Sequence, residues 1–253
     1  MLKVFKIWTL FIFVTVLVNF SFAQDSAAKI NENLAESKVE KLKIKRQGIQ
    51  ELFHEISFSL DVPIGVEIGS EADPLTEYKI DFKGGKLSAL LDEAVNLVNQ
   101  KQKQYSWRIT NGVINISPDE SYREKAIASL LETQIDSFAI KEGTSCEGFA
   151  ASIFKTRELR TVLEANSLTF RGLTPGGFYF PQLGKKFSLV FSNTSLKSAL
   201  NKVIKESPIA RSWFIERNLN HPKSVTLGLS AWHEDLPIET RTQIKALFSE
   251  DEF

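Results

Sequence analysis

The stretch that most constrains the fold of this chain runs from residue 78 to residue 116. It opens with an alternating apolar and polar run at 78–82, which predicts a half-buried β-strand. A helical stripe of apolar residues follows at 86–99. Two β-like runs between Tyr105 and Ile116 then enclose Asn111-Gly112, the strongest hairpin signal in the chain. This order predicts a small unit in which a helix packs on a sheet.

The same order of signals returns between residues 187 and 229, so the unit is predicted to occur twice. The corresponding apolar positions are Phe187, Leu189 and Phe191 with Tyr78, Ile80 and Phe82; Leu196, Leu200, Val203 and Ile204 with Leu87, Leu91, Ala94 and Val95; and Trp213 with Trp107. Few of these residues are identical. The correspondence therefore rests on periodicity, and it indicates a distant duplication.

Over its full length each module reads strand, helix, strand, strand, helix, strand, strand. We place the first module at 42–118 and the second at 134–230, where an extra helical piece and a long loop at 171–186 are added. The other segments are a signal peptide at 1–23, a leader at 24–41 that is either flexible or a weakly amphipathic helix outside the core, a connecting helix at 119–133 and a C-terminal tail at 231–253. The predicted fold class is α/β (α+β), with two tandem small modules that each pack about two helices on a mixed sheet.

The first 23 residues have the three-part order of a secretory signal peptide. Lys3 and Lys6 precede a charge-free apolar run at 7–18, and Ser21-Phe22-Ala23 supplies a small-x-small cleavage signal. The alternative is a retained anchor, but the apolar run is shorter than the roughly 20 residues of a spanning helix. We expect cleavage after Ala23 and a periplasmic or secreted protein.

Net charge restricts the class of partner, and cysteine content restricts how the fold can be stabilised. Lysine plus arginine and aspartate plus glutamate both number 31, and removal of the signal segment leaves a net charge near −2. Nucleic-acid binding usually needs a clustered basic face, so we do not expect a nucleic-acid partner. Cys146 is the only cysteine, so this exported chain cannot close an internal disulfide and must be stabilised by packed cores.

No combination of residues indicates a catalytic centre. Cys146 follows Thr144-Ser145 in a capping-box pattern, and a helix N-terminus lowers the pKa of a thiol. However, His54, His221 and His233 all lie in unrelated contexts. We expect Cys146 to be structural and assign no catalytic residue.

Metal and phosphate motifs are equally weak. His233-Glu234-Asp235 has no second cluster of ligands, and His54-Glu55 lacks the HExxH spacing. The glycines at 172, 176, 177 and 184 form no phosphate-binding motif. We therefore assign no metal ligand and no cofactor.

Aromatic residues give the remaining candidates for binding. Phe178, Tyr179 and Phe180 lie in the long glycine-containing loop, and they either form a contact surface for a partner or fold back onto the module. Trp107 and Trp213 could stack on a glycan or peptide. Their alternation with polar neighbours favours core positions instead.

The first module resembles the secretin and TonB short N-terminal domain and the related small α/β N-domains of secretins. The residues that carry the resemblance are Ile49 to Leu60, Ile64-Gly65-Val66, Tyr78 to Phe82, Leu87 to Val98, Trp107-Arg108-Ile109 and the hairpin from Asn111 to Pro118. The resemblance covers about 75 residues of the first module well and the second module only weakly. Its motifs are patterns of apolar residues.

The resemblance implies a periplasmic domain that contacts other proteins and performs no chemistry. A secretin or a pilus component is the kind of partner it implies. We expect an exported, non-enzymatic envelope protein that binds another protein through exposed strand edges. The alternatives are a secreted hydrolase with an undetected nucleophile and a protein that binds glycans or peptides.

Overall fold

The computed structural model describes residues 29–69, 72–102, 104–172, 183, 187–218 and 221–231. The signal peptide expected at 1–23 and all but the first residue of the tail expected at 231–253 lie outside these residues. Among the described helices, none is long and apolar enough to cross a membrane.

The described chain alternates strands and helices. The strands are β1 Lys38–Val39, β2 Leu42–Gln47, β3 Ile64–Glu67, β4 Glu77–Phe82, β5 Gly85–Lys86, β6 Tyr105–Thr110, β7 Val113–Pro118, β8 Gln134–Ile140, β9 Thr169–Gly172, β10 Leu189–Ser195, β11 Ala210–Arg217 and β12 Ser224–Ala231. The helices are α1 Gly48–Leu60, α2 Leu87–Lys101, α3 Lys125–Glu132, α4 Cys146–Ile153, α5 Arg157–Ala165 and α6 Leu196–Glu206, and residues 29–35 are also helical. The predicted mixed α/β class is confirmed.

A six-stranded sheet in the order β6-β7-β3-β11-β12-β9 lies at the centre of the molecule. Strands β6, β7 and β3 come from the first module, and β11, β12 and β9 from the second. Within each set, the hairpin strands pair antiparallel and the third strand joins the second hairpin strand in parallel. The two sets meet where β3 and β11 pair in parallel.

Two smaller antiparallel sheets, β2 with β4 and β8 with β10, cover the helices from outside. Helices α1 and α2 lie between the β2–β4 pair and one face of the central sheet. Helices α4, α5 and α6 lie between the β8–β10 pair and the opposite face. Each face of the central sheet therefore carries one buried core: the first core lies around α1 and α2, and the second core lies around α4, α5 and α6.

The pairing pattern of the first module recurs in the second. The β2–β4 pair corresponds to β8–β10, and the β6-β7-β3 set corresponds to β11-β12-β9. A side-chain hydrogen bond is also shared. Trp107 Nε1 donates to Asp92 Oδ1 at 2.7 Å, and Trp213 Nε1 donates to Asn201 Oδ1 at 2.8 Å. In both modules the bond ties the first hairpin strand to the helix before it, which supports duplication independently of apolar periodicity.

The hairpin predicted at Asn111-Gly112 is present. Both residues have positive φ angles, 53° for Asn111 and 78° for Gly112. A two-residue turn of type I′ needs this conformation at both positions, and asparagine and glycine adopt it at little cost. The turn fixes the register in which Thr110 pairs with Val113.

We call the parallel pairing of β3 with β11 the joint between the modules. The joint requires the absence of a side chain at Gly65. In the parallel pairing of β3 with β11, Gly65 lies opposite Trp213. A Cβ atom at residue 65 would lie 2.3 Å from Cε2 of the Trp213 indole. The indole therefore occupies the space over Gly65, and Trp213 is only 1% exposed.

Two sequence-based expectations for connecting segments were wrong in detail. The segment at 24–41 was expected to be a flexible leader or a weakly amphipathic helix outside any core; it contains the helix at 29–35, but also strand β1, which pairs with β5. Val39 of β1 is buried in the first core, because its alternating position in an edge strand faces the helices. The connecting helix expected over 119–133 is shorter, since residues 119–124 form turns before α3 begins.

We expect Gly65→Ala to lower the free energy of unfolding by about 1–3 kcal/mol, because the added methyl group overpacks the joint against Trp213. Chemical denaturation measures the change. The cost of Gly65→Ala should shrink in a Trp213→Phe background, where the smaller ring leaves room. An equal cost in both backgrounds would show that Trp213 is not the group that Gly65 accommodates.

Candidate functional site

The aromatic loop residues Phe178, Tyr179 and Phe180 lie outside the described residues, as do His233 and the glycines at 176, 177 and 184. Leu183, a described residue of the same loop, is 1% exposed and belongs to the second core. Its backbone N–H donates to the carbonyl of Thr144 at 2.9 Å.

Cys146 is part of the second core. It begins α4, and the hydroxyl of Ser145 caps this helix by accepting from the N–H of Gly148 at 2.9 Å. The thiol is 4% exposed, and burial raises its pKa to about 12. A protonated, buried thiol is a poor nucleophile.

His54 and Ser212 form a contact across the joint. Nδ1 of His54 on α1 lies 3.0 Å from Oγ of Ser212 on β11. Ser212 is 4% exposed, so its hydroxyl is closed to a substrate. The nearby Ser57 hydroxyl lies 2.7 Å from the carbonyl oxygen of Val62 and 2.9 Å from that of Arg211. These polar contacts link α1 to the second module and are structural in character.

The remaining predicted positions separate from one another. His221 lies exposed in the turn between β11 and β12, on a different element from His54. Among the described residues, no group of three or more histidine, cysteine, aspartate or glutamate side chains is arranged to hold a metal ion. Trp213 is buried, and Trp107 is half-buried against the first core.

The segment that connects the modules forms ion pairs with both strands of the joint. Arg123 Nε donates to Glu67 Oε1 at 2.7 Å, at the end of β3. The next residue, Glu124, forms an ion pair with Arg217 at the end of β11. The Glu67 side chain is 1% exposed, so its partner compensates a buried charge. Two successive residues, Arg123 and Glu124, thus bind the ends of the neighbouring strands β3 and β11.

The outer strand β6 directs backbone groups toward an edge that pairs with no other described strand. The side chain of Asn99 accepts from the N–H of Tyr105 at 2.7 Å and donates to its carbonyl at 3.0 Å. Antiparallel pairing alternates, so residues of the same parity, Trp107 and Ile109, also direct their backbone groups outward. Asn99 therefore occupies the outward N–H and carbonyl groups of Tyr105. Within the described chain, the outward groups of Trp107 and Ile109 pair with no strand.

The strand at the other end of the sheet, β9, is also paired on one side only within the described chain. The N–H of Thr169 donates inward to the carbonyl of Lys223 at 2.8 Å. Successive residues of a strand direct their backbone groups to opposite sides, so Phe170 and Gly172 direct theirs outward. Phe170 is held in place by stacking on Phe154, with ring centroids 4.2 Å apart.

Sequence reasoning did not identify the joint. Gly65 lies in an apolar run, where a strand glycine indicates either a bulge or a close approach of another group. Glu67 ends the same run, where it has the appearance of an exposed residue. The signal that could have been used is the pair Arg123-Glu124, which offers opposite charges in the connector.

No protein-family model, no curated protein and no solved structure matches this chain.

We expect Arg123→Ala to lower the free energy of unfolding by about 3–5 kcal/mol, since it leaves the Glu67 carboxylate buried without its partner. The matched control is Arg157→Ala. That variant removes an ion pair to Asp136 in which both side chains are more than half exposed, together with a longer contact of 3.7 Å to Glu158, and it should cost less than about 1 kcal/mol. Chemical denaturation measures both. Adding Glu67→Gln should recover much of the Arg123→Ala loss, and no recovery would show that the buried charge is not its cause.

We expect acid to weaken the fold through His54. Burial and, to a smaller extent, the charge of Arg46 lower the pKa of His54 from 6.5 to about 4. Between these values the unfolded chain takes up a proton that the folded chain does not. The free energy of unfolding should therefore fall as the pH falls from about 6.5 to about 4, by a total of about 3 kcal/mol.

The contribution of His54 is measured as the difference between the pH dependence of unfolding for the wild type and for His54→Gln. The matched control is His221→Gln, which removes an imidazole from the exposed turn between β11 and β12. A His54→Gln protein that loses as much stability as the wild type over this pH range would contradict the assignment.

Proposed function

We propose that this protein is an exported, non-enzymatic envelope protein that binds another polypeptide by pairing it with an outer strand of the central sheet. The observation that carries the proposal is the joint itself. There the edge strand of one module is bound by a strand of the other through parallel backbone pairing. Strand addition of this kind is a common mode of peptide and protein recognition.

Strand β6 offers the surface for such binding. Its outward residues Trp107 and Ile109 are half-buried, so the side chains are anchored in the first core while the backbone groups point to the edge. The indole of Trp107 is fixed by its bond to Asp92. An incoming strand would meet a preorganised edge, and preorganisation reduces the entropy lost on binding.

The envelope location is supported by the sequence. The signal-peptide pattern at 1–23 directs export, and a single cysteine with balanced charge suits a protein that relies on packed cores. The element order of each module is also the order on which the resemblance to the secretin and TonB short N-terminal domain rests. That resemblance supports a secretin or a pilus component as the partner.

The other two functions receive less support from the described residues. A hydrolase needs an accessible nucleophile, whereas Cys146 and Ser212 are each 4% exposed. A glycan platform needs an exposed aromatic face, whereas Trp213 is buried and Trp107 is half-buried. Binding through strand edges uses backbone groups instead and requires neither feature.

The test is capture of envelope proteins from the source cell on immobilised wild-type protein and on Ile109→Pro. Proline at an outward position removes one edge donor while leaving the pairing with β7 intact. We expect Ile109→Pro to lose the captured protein. The control is Ser106→Lys, which changes an exposed side chain of the same strand without altering the backbone donors.

Circular dichroism and denaturation midpoints establish that the variants are folded. If Ile109→Pro is destabilised, Ile109→Lys provides a second edge variant, since a charged residue on an edge strand opposes strand addition. A partner that binds Ile109→Pro and Ile109→Lys as strongly as the wild type would exclude β6 as the binding strand.

A further inference from the structure

We propose that the outer strands β6 and β9 bind each other between copies of this chain, so that the protein assembles head to tail through its central sheet. The inference rests on the proposed function and names the partner of the β6 edge as a second copy, in place of the secretin or pilus component that the resemblance implies. Three features of the structure lead to it: the strand directions, the faces of the sheet, and the positions of the outward backbone groups.

The strand directions at the two ends of the sheet match. Strands β7, β3 and β11 run in one direction, because β7 is parallel to β3 and β3 is parallel to β11. Strands β6, β12 and β9 run in the other direction. A second copy shifted along the sheet would therefore place its β6 parallel to β9, as β11 lies parallel to β3 in the joint.

The module order at such a contact also repeats that of the joint. In the joint, the third strand of one set, β3, meets the first strand of the next, β11. Between copies, β9 corresponds to β3, and β6 corresponds to β11. The contact would have the same polarity, with the helices of successive modules on alternate faces of a continuous sheet.

The outward backbone groups limit the possible registers, and contact between side chains selects one of them. In parallel pairing, one residue exchanges hydrogen bonds with two residues of the partner strand that are two positions apart. Trp107 would donate to the carbonyl of Phe170 and accept from the N–H of Gly172. The joint follows this rule, since the carbonyl of Ile215, which lies opposite Glu67, accepts from the N–H of Ile68 at 2.9 Å.

This register places Trp107 opposite Arg171 of the neighbouring copy. Both side chains lie on the face of the sheet that carries α1 and α2, because Arg171 alternates with Phe170, which faces the second core. Arg171 is exposed, and its guanidinium group would reach the indole of Trp107. Arginine stacks favourably on tryptophan, so the pairing adds a side-chain interaction to the backbone bonds.

A contact between two different edges is heterologous. It produces closed rings or open fibres instead of closed dimers, depending on the twist between successive copies. Coverage of Tyr105 by Asn99 confines an incoming strand to the outward groups at Trp107 and beyond, and so restricts the alternative registers.

The experiment is thiol cross-linking of the purified full protein with a short bifunctional reagent. The native Cys146 is buried, so introduced cysteines provide the reactive groups. The double variant Ile109→Cys/Arg171→Cys carries one cysteine at each edge, on the same face of the sheet. We expect it to give a ladder of dimers, trimers and larger species, and an equal mixture of the two single variants to give heterodimers.

Sedimentation of the uncross-linked protein measures assembly independently. The wild type should show a concentration-dependent rise in mass beyond that of a dimer. Ile109→Pro should remain monomeric, and Ser106→Lys should behave as the wild type. If Ile109→Pro is unfolded, Arg171→Glu replaces it, since a carboxylate opposite Trp107 removes the stacking cation, and this variant should weaken assembly at least tenfold.

Each other outcome overturns the proposal. A wild type that stays monomeric at its highest soluble concentration excludes assembly. Cross-linked dimers from Ile109→Cys alone would indicate a β6-to-β6 contact, and dimers from Arg171→Cys alone a β9-to-β9 contact. A monomeric wild type that nevertheless captures an envelope protein through the β6 edge would retain the proposed function and exclude a second copy as its partner.

Discussion

The rest of the structure depends on the parallel pairing of β3 with β11. It brings α6 of the second module against β3, which buries Glu67 and Asn115 on the face of the sheet opposite α1 and α2. The pairing needs close approach at Gly65, where the Trp213 indole occupies the space of a side chain. The buried Glu67 carboxylate is stable there because Arg123 reaches it from the connector. The pairing of β3 with β11 therefore depends both on the absence of a side chain at Gly65 and on the ion pair between Glu67 and Arg123.

Much of the fold within a module could be predicted from the sequence. The strand predicted at 78–82 is observed as Glu77–Phe82, and the helix predicted at 86–99 is observed as Leu87–Lys101. These elements are predictable because apolar periodicity records which side of a helix or strand is buried. The Asn111-Gly112 turn is predictable for a different reason, since its backbone conformation restricts the residues that can adopt it.

The joint and its charges could not be predicted in the same way. Pairing of strand edges depends on backbone groups that every residue carries, so the sequence does not specify which edge meets which. A buried glutamate such as Glu67 resembles an exposed one until Arg123, 56 residues later, is placed beside it. The prediction for Phe178, Tyr179 and Phe180 rests on the composition of a loop, and these residues lie outside the described part of the chain.

The asymmetry of the joint has a consequence for the ends of the sheet. Had the modules met through equivalent strands, both outer strands would be of the same type, and a further copy could add only by an isologous contact. Because β3 meets β11 instead, the outer strands are of different types and have matching directions. Natural sheets usually block such edges along their length. Here Asn99 satisfies both backbone groups of Tyr105, and the following outward positions belong to residues anchored in the core. An edge that is blocked at one point and rigid beyond it can select the register of an incoming strand, which is the property that a specific binding edge requires.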